Sequence, residues 1–128
     1  MPNPILDSSV VIGHLNDRAP AADYVDELLF ANAAVLHGVT VVEVLCGARD
    51  KKNMRELRRY LAQFHVVLPT SEDFARSVDL LALHTLSHGI GWPDCLIAAT
   101  CLRLRCPVAT INVKHFRAVP GVEIERVK

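Results

Sequence analysis

Asp7, Glu43 and Asp94 each interrupt an otherwise apolar stretch. Their neighbours are Pro4-Ile5-Leu6 and Val10-Val11-Ile12, Val41-Val42 and Val44-Leu45, and Trp92-Pro93 and Cys95-Leu96-Ile97. An ionised carboxylate in a hydrophobic setting is costly to bury unless something pairs with it. No Lys or Arg lies within several positions of any of the three. Three unpaired acids that converge in space would hold a cation between them. Hard oxygen ligands of this kind suit Mg²⁺ or Mn²⁺ rather than Zn²⁺.

Each acid also has a plainer explanation. Asp7, followed by Ser8 and Ser9, can cap a helix, and Asp94 in a first turn complements the helix dipole. Glu43 is harder to explain in this way, because no cation stands at i±3 or i±4. Asn112 is most simply a turn residue.

The elements that must position these residues are legible from periodicity. Strands are expected at 4–6, 34–37, 65–68, 107–110 and 122–125. Helices are expected at 10–15, 20–32, 39–48, 52–64, from Ser71 to about 88, and 93–104, with Val39-Thr40-Val41-Val42 equally compatible with a strand. Pro20 suits a first helical turn. Ser71 reads as a helix cap, and Phe74, Val78, Leu81, Ala82 and Leu86 read as that helix's inner face. The helix from Pro93 is apolar all round and should lie at the domain centre. Residues 112–115 read as a polar turn. Strands alternating with helices predict an α/β fold around a parallel sheet. The chain reads as one domain spanning 1–128, without repeats or linkers. In such sheets function gathers at the carboxyl ends of the strands. Asp7 ends the first strand and Asn112 follows the fourth, so the acids and Asn112 are expected on one rim.

At 128 residues the chain is long enough for a substantial core, and 51% of it is hydrophobic. Its formal charge is zero, which by itself predicts no nucleic-acid partner. The distribution says more. Residues 1–48 carry six acids and one base, whereas 49–59 carry six bases and two acids. Arg49, Lys52, Arg55 and Arg59 in that basic stretch are candidate phosphate contacts; the alternative is a solvated helix face. The four cysteines have neither a C-x-x-C pair nor metal-site spacing, and read as small hydrophobes in a reduced, cytoplasmic setting. No secretion signal or membrane span is expected. His84 and His88 have helical i, i+4 spacing but no acid between them. Trp92 reads either as a hydrophobic plug or as a platform for a base.

Ile5-Leu6-Asp7-Ser8-Ser9, Thr40-Val41-Val42-Glu43, Pro93-Asp94-Cys95-Leu96-Ile97-Ala98-Ala99 and Thr110-Ile111-Asn112-Val113-Lys114-His115-Phe116 occur in this order. The ordered set, completed by Val119-Pro120-Gly121-Val122, resembles PIN-domain ribonucleases, and more narrowly the VapC-type toxins of toxin–antitoxin pairs. The resemblance implies a three-layer α/β/α sandwich and an endoribonuclease dependent on Mg²⁺ or Mn²⁺. Its acids match Asp7, Glu43 and Asp94 as catalytic residues and metal ligands. The fourth catalytic position matches the neutral Asn112, and a nearby position acidic in some members matches His115. Ser9 and Thr110 would support the acids or the phosphate. An RNA substrate, a cognate antitoxin and a homodimer are implied partners. A non-catalytic RNA-binding PIN module is the alternative, favoured by Asn112 and His115. Phosphatases of the haloacid-dehalogenase type require Asp-x-Asp, and Ser9 occupies the second acid's place.

Overall fold

The computed structural model describes residues 2–128. Five short strands, β1 (Ile5–Leu6), β2 (Val35–His37), β3 (His65–Val67), β4 (Val108–Thr110) and β5 (Ile124–Arg126), form one sheet. All its pairings are parallel and its order is β3-β2-β1-β4-β5. The helices are α1 (Ser8–Leu15), α2 (Ala21–Phe30), α3 (Gly38–Cys46), α4 (Lys51–Leu61), α5 (Ser71–His88), α6 (Trp92–Leu104) and α7 (Val113–Arg117). The chain runs outward from β1 to β3 and then returns to β4 on β1's other side. That reversal puts a crevice at the carboxyl ends of β1 and β4, where ligands bind in sheets of this kind.

Successive strand residues point to opposite faces. Ile5 and Val108 accordingly enter one core with residues of α5, α6 and α7. Leu6, Leu36 and Ala109 enter a second core with α1, α2 and α4. Three layers result, as expected. Helix α3 straddles them: Val39 joins the first core and Val44 the second. Every residue from Cys95 to Cys101 is buried, so α6 is the central helix its composition predicts. Gly13 lets α1 and α2 cross closely, because a Cβ there would stand 2.9 Å from the Ala21 Cβ. Among the described residues no helix is long and apolar enough to cross a membrane. All four cysteines are free thiols; three are buried and Cys46 is exposed.

Four local expectations need correction. Thr70, not Ser71, caps α5, through a reciprocal capping box with Asp73. The expected inner face of α5 is largely outer: Phe74, Val78 and Leu86 are exposed, while Asp73 and Leu80 are buried. The inner face is set by a buried ion pair, which apolar periodicity cannot report. Pro20 occupies the cap position just before α2 rather than its first turn. Residues 113–117 form the short helix α7 instead of an open turn.

Candidate active site

Asp7 leaves β1 in extended conformation and caps α1. Its Oδ1 accepts from the Val10 amide at 3.1 Å and from the Ser9 hydroxyl at 2.6 Å. Its Oδ2 accepts from the Thr110 hydroxyl at 2.5 Å, which joins the ends of β1 and β4. Cap and candidate ligand are therefore the same residue. Ser9 and Thr110 also receive the Ile111 and Asn112 amides, at 3.3 and 2.9 Å, so they anchor the loop after β4. Asp7 is 3% exposed. Burial raises its carboxyl above the usual range, against the pull of these hydrogen bonds.

Asp94 lies in the first turn of α6, which opens at Gly91 and carries Pro93 in that turn. Burial raises its carboxyl, as does the charge of Asp7. The His115 ring on α7 opposes this rise, with its Nδ1 3.0 Å from Asp94 Oδ2. Glu43 lies on α3. Burial raises its carboxyl, and the charges of Asp94 and then Asp7 raise it further. The charges of Asp94 and Asp7 thus both reach Glu43, and that of Asp7 reaches Asp94. Glu43 Oε1 is buried and has no hydrogen-bond partner. One turn earlier on α3, the fully buried Thr40 also leaves its hydroxyl unpartnered.

Asn112 is exposed at the rim, and its side chain makes no capping bond to α7. With His115 it lines a pocket of about 400 Å³ that also presents Lys114, Arg117 and Arg126. Lys114 and Arg117 flank His115 in the sequence, but no local pattern marks them as a cluster with Arg126. Glu43 lines a second pocket, of about 440 Å³, together with Arg49, Asn53 and Leu57. Arg49 is thus brought beside a candidate acid. Arg55 shares a further hollow of about 550 Å³ with Arg49. Lys52 and Arg59 are exposed along α4 and line neither of the two pockets beside the acids. Trp92 is exposed rather than a plug. His84 and His88 contact each other edge to face on α5.

A family model described as "PIN domain" matches residues 5–122. The chain belongs to the PIN-domain family. Within it, this PIN domain is 34% identical to Ribonuclease VapC10 of Mycobacterium tuberculosis over 113 residues, covering 88% of this chain and 84% of that protein. It is 32% identical to Ribonuclease VapC19 of the same species over 124 residues, covering 93% and 96%. Its fold matches a chain of the DNA-bound VapBC structure from Salmonella typhimurium with a TM-score of 0.78 at 18% identity, covering 98% of each chain. A chain of VapBC2 from Rickettsia felis, bound to a promoter DNA fragment, matches with a TM-score of 0.77 at 18% identity, covering 97% and 98%. Those two likenesses concern the fold of the PIN domain.

The acids suit a hard divalent ion in a particular way. Among the described residues no three His, Cys, Asp or Glu side chains form a ready-made ligand cage. Mg²⁺ does not require one: it keeps several waters and takes one or two carboxylates directly. One or two of the three carboxylates, with water completing the shell, would meet that need. The orphaned Glu43 oxygen has the acceptor chemistry to receive a hydrogen bond from such a water.

Proposed function

We propose that this PIN domain, residues 1–128, is a metal-dependent endoribonuclease and the toxin of a VapBC-type toxin–antitoxin pair. One observation carries the chemistry: Glu43 holds a buried, unpartnered oxygen while feeling the charges of Asp94 and Asp7. Carboxylates buried at such cost are relieved either by taking a proton or by a compensating cation, and a divalent ion meets the unpartnered oxygen as well as the charge. Asp7 and Asp94 would ligate Mg²⁺ or Mn²⁺ directly, and Glu43 through water. The bound ion would lower the pKa of a coordinated water and offset charge developing on the phosphate.

The protein's own residues do the rest. Ser9 and Thr110 hold both oxygens of Asp7 in place. His115 orients Asp94. Glu43 accepts a hydrogen bond from the attacking water and aligns it. Asn112, at the rim, offers an amide to the substrate. Arg49, Lys52, Arg55 and Arg59 attract the RNA backbone, as do Lys114, Arg117 and Arg126 around the other pocket.

The names of VapC10 and VapC19 support the ribonuclease reading, and the VapBC neighbours support an antitoxin partner. The exposed apolar residues Phe74, Val78 and Leu86 on α5 support a homodimer. The deciding experiment uses antitoxin-free protein and RNA. Cleavage should require Mg²⁺ or Mn²⁺ and stop with EDTA. Cleavage that persists in EDTA would falsify the metal role. The second reading, an RNA-binding module without catalysis, draws on the neutral Asn112 and on His115 occupying Asp94; it predicts RNA binding without cleavage at any metal concentration.

A further inference from the structure

A chain of buried and part-buried hydrogen bonds outside the site connects α5, α6 and α3. Asp73, 2% exposed, accepts from Arg103 Nε at 2.8 Å and from Arg103 Nη2 at 3.0 Å. Its Oδ2 also accepts from the Thr100 hydroxyl at 3.0 Å and from the Thr70 amide at 3.0 Å. Thr100 Oγ1 lies 3.0 Å from His37 Nε2. His37 Nδ1 accepts from the Val39 amide at 3.0 Å, which caps α3.

The protons follow from this pattern. An Nδ1 that accepts from a backbone N–H carries no hydrogen, so neutral His37 has its proton on Nε2. That N–H donates to Thr100 Oγ1. The single Thr100 hydroxyl proton then has two acceptors in reach, Asp73 Oδ2 and the Leu96 carbonyl at 3.1 Å. The charged carboxylate is the stronger acceptor. Each group from Arg103 to the α3 cap is thereby assigned one role. Burial lowers His37 to about 4, against the charge of Asp73 and with that of Arg103, consistent with a neutral ring.

We propose that Thr100 and His37 are positioning residues that fix α3 against α6, and so set Glu43 relative to Asp94. The inference rests on the reading of those two acids as a metal site. His37 caps the helix that carries Glu43, and Thr100 sits on the helix that carries Asp94. Glu43 lies six residues beyond the cap, about 9 Å along the axis, so a small tilt at the cap is carried to its carboxylate. Without the Thr100 hydroxyl, His37 would bury an unpaired N–H, and the ring would turn to relieve it.

The test uses Thr100→Val, which keeps shape and deletes the hydroxyl, with Thr100→Ser as the conservative rescue. Manganese binding is read by electron paramagnetic resonance, and RNA cleavage at saturating Mn²⁺, both well below each variant's melting temperature. Thr100→Val should weaken Mn²⁺ binding several-fold and lower kcat roughly ten-fold with KM for RNA unchanged. Thr100→Ser should restore both to within about two-fold. A Thr100→Val protein with wild-type kcat and Mn²⁺ affinity, however low its melting temperature, overturns the proposal. So does equal loss in both variants. If Thr100→Val does not fold, the His37 ring nitrogens of the wild type decide by NMR. An Nε2–H tautomer held down to pH 5 supports the relay, whereas an Nδ1–H tautomer or titration near 6.5 overturns it. A wild type that keeps this tautomer yet neither binds Mn²⁺ nor cleaves RNA overturns the metal reading, and the positioning role falls with it.

Discussion

His115 Nδ1 stands 3.0 Å from Asp94 Oδ2, so a ring on α7 holds the acid that opens α6. A hydrogen bond to a charged group contributes roughly 1.5–3 kcal/mol. His115→Ala should therefore leave Asp94 free to rotate, lower kcat by about ten-fold and lower the melting temperature by a few degrees. Steady-state cleavage beside a thermal melt checks this. Unchanged kcat would mean that the contact is incidental.

Glu43→Gln separates chemistry from folding better than any change at Asp7, because Glu43 Oε1 has no partner to lose. Its carboxyl is raised in the folded state by burial and by Asp94 and Asp7. A raised carboxyl favours the fold while protonated, and that contribution is lost as pH rises through the folded value. Ionised Glu43 therefore destabilises the metal-free fold at pH 7. Glu43→Gln should abolish cleavage yet melt at the same or a higher temperature. A lower melting temperature at pH 7 would count against the repulsion.

Asp7 behaves differently. It caps α1 and accepts from Ser9, Val10 and Thr110. Asp7→Ala should lose cleavage and also about 1–2 kcal/mol of stability through the cap. Denaturant titration measures the second effect, and an unchanged midpoint would show that the cap contributes nothing.

Arg55, Arg58 and Arg59 are exposed on α4, whose buried residues are Leu57 and Leu61, and among the described residues they enter no ion pair. Reversing all three charges should weaken RNA binding and reduce the slope of log K against log salt by about 2, given some 0.7 per phosphate on single strands. Chemistry at saturating RNA should be nearly intact. An unaltered slope identifies a merely solvated helix face.

His37 is held neutral, lowered to about 4 chiefly by burial. Between about 4 and its unfolded value near 6.5, the unfolded chain binds the extra proton. Stability must then fall as pH drops through that window, by at most about 1.4 kcal/mol per pH unit from this group. His37→Asn retains a capping oxygen but cannot titrate, so its stability curve should be flatter there. Chemical denaturation at pH 4.5, 5.5 and 6.5 resolves the difference, and parallel curves would remove His37 as the source.

Much of this protein is written in local patterns. Alternation of strands and helices predicts the parallel sheet, because the 2.0 and 3.6 periods are properties of short stretches. Asp7, Glu43 and Asp94 were conspicuous because a lone charge in an apolar run has no local means of being satisfied. What such patterns lack is a partner. The apolar stripe of α5 marks a face without saying what covers it, and the fold turned Phe74 and Val78 outward while Asp73 went inward to Arg103. Thr110 reaches Asp7 across 103 residues and Thr100 reaches His37 across 63. These pairings exist because β1 and β4 are neighbours and α6 packs on α3. The sequence determined which side chains would be costly to bury. Only the tertiary structure decided which groups would stand beside them, because hydrogen bonds act over about 3 Å of space and not along the chain.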